Sequence, residues 1–89
     1  MARMETAALC KEELAPQAAT PDALFELGMM YCTGKGVEPD LVTAHKWFNL
    51  AALRGNKAAL QYRLELASEM SQAQVADAQR AAREWLSTH

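Results

Sequence analysis

Between Tyr31 and Leu41 the chain reads Cys-Thr-Gly-Lys-Gly-Val-Glu-Pro-Asp, and this interruption constrains the fold more than any other feature. Gly34 and Gly36 favour left-handed or otherwise strained backbone, and Pro39 bars helix from the residues just before it. A helical segment is expected on each side. Thr20-Pro21-Asp22 opens the first. Threonine caps, proline suits the first helical position, and aspartate complements the positive end of the helix dipole. Ala23, Leu24, Leu27, Gly28 and Tyr31 then fall along one stripe, while Phe25 and Met29 lie on a different side. Asp40 caps the second segment, which should reach about Arg54 with Leu41, Ala44, Trp47, Phe48, Ala51 and Ala52 on one broad apolar face. Gly55 stands where a C-terminal cap belongs.

The flanking stretches also read as helix. From about Lys57, Leu60, Leu64 and Ala67 share one stripe, with Tyr62 and Leu66 on another, and the pattern stops near Met70. Ser71-Gln72-Ala73-Gln74 is a capping box, with Met70 and Val75 at the spacing of a hydrophobic staple. The last helix sets Val75, Ala78, Ala82, Trp85 and Leu86 on one face. A thinner pattern, Ala7, Cys10 and Leu14, predicts a first helix over about Met4–Leu14, closed by Pro16. Composition agrees. Alanine occurs 18 times in 89 residues, isoleucine never, and valine and threonine only 3 and 5 times. Alanine is the best helix former and the β-branched residues are those that sheets favour. The chain is therefore expected to be all-α: one domain of about five antiparallel helices with short connections.

Charge and cysteine usage exclude several classes. The net charge is −2 and no lysine or arginine run occurs, so the electrostatic footprint of a nucleic-acid binder is missing. No apolar stretch approaches the roughly 20 residues of a membrane span. Met1–Glu12 lacks the apolar core of a secretory signal, and Ala7-Ala8-Leu9-Cys10 lacks the context of a lipoprotein box. Cys10 and Cys32 form neither a zinc pattern nor a disulfide framework, and are read as free thiols of a reducing cytosol. No catalytic constellation assembles. His45 is read as a solvated helix histidine without an orienting partner, and His89 is terminal. Gly34-Lys35-Gly36 is too short for a phosphate cradle and lacks a hydroxyl residue after the lysine.

The spacing Ala23-x3-Leu27-Gly28-x2-Tyr31-x2-Gly34-x-Gly36-Val37-x2-Asp40-x3-Ala44-x2-Trp47-x3-Ala51-Ala52-x2-Gly55 resembles one unit of the Sel1-like repeat family. Members are helix–turn–helix repeats related to the tetratricopeptide repeat. The resemblance implies an α/α superhelical array, in which Leu27 and Gly28 permit close helix packing and Trp47 fills the core of the pair. Thr43 and Leu50 stand where the repeat often has lysine, on a face read as variable. After Gly55 the pattern begins again at Asn56 and Ala59, yet Arg63-Leu64 replaces Leu-Gly and no second glycine loop follows. The expected organisation is therefore a cap helix in 1–19, a complete repeat in 20–56, and a partial repeat with a closing helix in 57–89. The stretch from Met70 to Gln79 is similar to the tail of many bacterial members, which implies a bacterial, cytoplasmic setting.

Family members of this kind are typically scaffolds and adaptors without an enzymatic centre. The resemblance therefore implies a non-enzymatic protein–protein interaction module, needing no cofactor or metal, that docks a helix or peptide of a cytosolic partner. Phe25, Met29 and Met30 lie off the core stripe, and adaptable methionine beside an aromatic suits a binding surface that Tyr62 would extend. The same residues would also serve as core beneath the first helix. The second functional reading is a structural homodimer whose helical faces self-associate.

Overall fold

The computed structural model describes residues 19–88 and places four helices among them: α1 (Pro21–Thr33), α2 (Leu41–Leu53), α3 (Lys57–Ala67) and α4 (Gln72–Thr88). No strand occurs among the described residues. The fold is all-α as expected, with fewer helices than five, since the one expected over 4–14 lies outside the described residues.

The helix boundaries follow from local chemistry. Thr20 is extended, and its Oγ1 accepts a hydrogen bond from the Ala23 N–H at 3.1 Å, with Pro21 at the first helical position. Gly34 ends α1 at φ +76°, where its N–H donates to the Met30 carbonyl at 2.8 Å. A Cβ there would stand 2.6 Å from the Pro39 ring, so Gly34 and Pro39 close the turn together. The Asp40 carboxylate accepts from the backbone N–H groups of Val42 and Thr43 and from the Thr43 hydroxyl. Asn56 caps α3 by accepting from the Ala59 N–H at 2.9 Å. Ser71 and Gln74 form the expected capping box in both directions, at 2.9 and 3.1 Å.

Packing is organised around α2. Helices α1, α3 and α4 each pack mainly on it, and the contacts between the other pairs are lesser, among them Phe25 of α1 on Tyr62 of α3. This explains why α2 is buried on nearly every side. Ala44, Trp47, Phe48, Leu50 and Ala51 are fully enclosed. Against α1 the approach is close enough that a Cβ on Gly28 would lie 2.5 Å from the Phe48 ring. On the opposite flank Trp85 of α4 meets Trp47 edge-on at 6.0 Å between centroids. The Arg54 guanidinium lies 5.7 Å over the Trp85 ring and donates to the Ala19 carbonyl at 3.2 Å, tying the start of the described chain to the end of α2.

Two sequence expectations are corrected by this hub arrangement. His45 is not solvated but only 2% exposed, and Leu50 belongs to the core instead of a variable face. Both follow from three helices surrounding α2, where an apolar stripe of ordinary width would need only one or two. On α3 the buried residues are Ala59 and Leu66, whereas Leu60 and Leu64 are exposed. The helix docks by the side carrying Ala59 and Leu66, and the leucine stripe is left on its flank. Leu86 at the end of α4 is likewise exposed, because the Trp85 ring makes the contact with α2.

Candidate functional site

The outer side of α1 carries a surface cavity of about 360 Å³ lined by Phe25, Glu26, Met29, Met30, Thr33 and Lys35. Helix α1 supplies five of these, and Lys35 comes from the glycine loop that terminates it. Glu26, Met29, Met30 and Thr33 recur at i, i+3, i+4 and i+7, the spacing of one helical face. Phe25 flanks that face. The Thr33 hydroxyl is turned back to the Met29 carbonyl at 2.9 Å, which satisfies it within the helix. The walls are thus aromatic and thioether, with one carboxylate and one ammonium among the lining groups.

Phe25 links this cavity to the core. Its ring lies 5.6 Å from Phe48 and 5.5 Å from Tyr62, while Phe48 and Tyr62 stack at 5.4 Å with 23° between planes. Phe48 is fully buried, Phe25 half-buried and Tyr62 36% exposed, so the trio grades from core to surface across α2, α1 and α3. Of the four residues singled out in the sequence, the structure brings Phe25, Met29 and Met30 together in one cavity. Tyr62 does not line it, but touches Phe25 from the neighbouring helix. Sequence reasoning missed Glu26, Thr33 and Lys35. The i, i+3, i+4, i+7 spacing would have given the first two; Lys35 depends on how the glycine loop turns.

The polar groups elsewhere are structural. Arg63 of α3 donates to the Asn49 side chain of α2 at 2.8 Å, and Asn56 donates to the Asp22 carboxylate at 3.4 Å. His45 has an unpartnered Nδ1 in the interior. Burial first, and the nearby Arg63 cation second, push its pKa below the ordinary imidazole value, so it is held neutral. Cys32 is half-buried against the core. Among the described residues no three His, Cys, Asp or Glu side chains group to hold a metal ion. No described helix is long and apolar enough to cross a membrane.

Two helices joined by a short glycine turn and packed through a glycine–phenylalanine contact form a helix–turn–helix unit, with an apolar cavity on its first helix. Residues 21–56, about two-fifths of the chain, match the Sel1 repeat, and this segment of the chain is a Sel1 repeat. It covers α1, its glycine loop, α2 and the cap of α3. Sel1 repeats are non-enzymatic modules of protein–protein interaction. No curated protein and no solved structure matches the chain.

Proposed function

We propose that this chain is a small, non-enzymatic adaptor whose α1 face receives a helix or extended peptide of a cytoplasmic protein partner. The observation that carries this reading is the cavity formed by Phe25, Met29 and Met30 on the first helix of a Sel1 repeat. Unbranched thioether side chains repack around a guest, and a cavity of this size suits one bulky apolar side chain of a partner. Glu26 and Lys35 would hold the guest's polar flank, and Tyr62 would prolong the surface toward α3. In this reading α1 and α2 are the complete repeat, α3 begins a second, and α4 closes the array over α2. Nucleic acid and membrane are not its partners, given a net charge of −2 and no basic patch in the sequence.

The test is affinity capture from the cells that make the protein, using three chains with matched circular dichroism. The native chain and a Gln79→Glu control on the outside of α4 should retain the same partner. A Met29→Glu variant should lose it. Equal retention by all three would remove the α1 face from the account.

A second reading, self-association of the chain, is favoured by one specific observation. Leu53, Leu60 and Leu64 are 65%, 43% and 54% exposed, and Leu53 and Leu60 share an apolar surface cavity at the α2–α3 corner.

A further inference from the structure

We infer that α3 is a self-pairing helix: it packs antiparallel on the α3 of a second copy of this chain, about a two-fold axis between Leu60 and Leu64. This rests on the self-association reading and gives it a surface, an orientation and a register. Three observations lead to it. Lys57, Leu60, Leu64 and Ala67 recur at intervals of three, four and three residues, the spacing of a two-helix seam. The two leucines are 43% and 54% exposed because α3 rests on α2 by another side, through Ala59 and Leu66. Neither α1 nor α4 buries them: α1 meets α3 through Phe25 and Tyr62, and α4 packs on α2.

The third observation selects a second copy as the occupant. The charges of α3 run against its own dipole. Lys57 holds the first helical position with no acid in the first turn, and Glu65 stands near the end with no base in the last turn. Such an order is unfavourable in an isolated helix, where acids belong at the start and bases at the end. Neither Lys57 nor Glu65 has an ion-pair partner among the described residues. An antiparallel copy corrects both ends at once. With Leu60 opposite Leu64 of the second copy, Lys57 falls beside the final turn of the other helix, near its Glu65 and the negative end of its dipole. Two-fold symmetry repeats the same contact at the far end. Lys57 and Glu65 lie on the same flank of the leucine seam, as pairing across an antiparallel seam requires.

The seam is short. Eleven residues at roughly 1.5 Å each give a helix on the order of 16 Å long, so the interface falls below the roughly 800 Å² per partner of a standard complex. Pairing should accordingly be weak and reversible, with a midpoint on the order of 100 µM.

Sedimentation equilibrium of the full chain from about 10 µM to about 1 mM, spanning that midpoint, tests the proposal. The native chain should rise in mass from 9.8 kDa toward twice that value. Leu64→Glu, at a site already exposed, should move the midpoint at least about tenfold upward with unchanged circular dichroism. Lys57→Glu should weaken pairing as well, and adding Glu65→Lys to it should restore the native midpoint. A native chain that stays at 9.8 kDa throughout overturns both this proposal and the self-association reading. Self-association that survives Leu64→Glu unchanged overturns the α3 seam alone. Failure of the charge-exchanged variant to recover, while Leu64→Glu does abolish pairing, overturns the antiparallel register.

Discussion

Gly28 fixes how near α1 comes to α2, because its missing side chain is the space that the Phe48 ring occupies. A methyl group added there would meet the ring at 2.5 Å, inside any real carbon–carbon contact. Gly28→Ala should therefore destabilise the fold by about 1–3 kcal/mol, even though alanine is intrinsically the better helix former by roughly 1 kcal/mol. Urea denaturation measures this. In a Phe48→Leu background the penalty should shrink, since the two residues share one contact. His45 supplies a second prediction at this scale. Its neutral form fits the interior, and its pKa is lowered first by burial and then by the Arg63 cation. The unfolded chain takes up the proton first, near the ordinary value of about 6.5, so stability falls as pH drops through that value toward the folded pKa. Unfolding free energy measured between pH 7.5 and pH 5.5, about one unit either side of that value, should decrease for the native chain and vary less for a His45→Gln variant.

At the scale of elements, the caps were the most legible part of the molecule. Thr20, Asp40 and the Ser71–Gln74 pair each act within three residues of sequence, so local chemistry determines them whatever the rest of the chain does. The faces of the helices were legible in proportion to how simply each helix is packed. Helix α1 packs mainly on one neighbour, and Leu24, Leu27, Gly28 and Tyr31 are buried on the expected stripe. Helix α2 meets three, and there the apolar pattern underestimates burial: Leu50 and His45 are covered although neither lies on the expected face. For α3 the pattern offered two stripes and could not choose between them, because periodicity reports which residues are apolar and not which side a neighbour reaches; Leu66 of the second stripe is the buried one. The cavity residues Phe25, Met29 and Met30 were visible as apolar groups off the core stripe, while Lys35 depended on a loop conformation no periodicity encodes. The closing role of α4 is testable at this same scale. Trp85 is 4% exposed and set edge-on against Trp47, so Trp85→Ala should cost about 3–5 kcal/mol, read from denaturant unfolding. The same truncation at exposed Leu86 should cost much less.

At the scale of the whole molecule, one buried helix surrounded by three others leaves an economical division of surfaces. The hub α2 spends its sides on the core; the outer face of α1 presents the methionine-lined cavity, and the flank of α3 presents leucines. A Sel1 repeat contributes the first of these surfaces, and the region after it contributes the second. The two lie on different helices, so partner docking at α1 and pairing at α3 need not exclude each other. The proposed function requires a protein partner on the α1 cavity. Site-specific photo-crosslinking in cells tests it most directly, with the reactive group placed at Glu26, an exposed residue of the cavity lining, and in a control chain at Gln79 on α4. A discrete crosslinked protein is expected from position 26 and not from position 79. No product from position 26, or the same products from both, would contradict it.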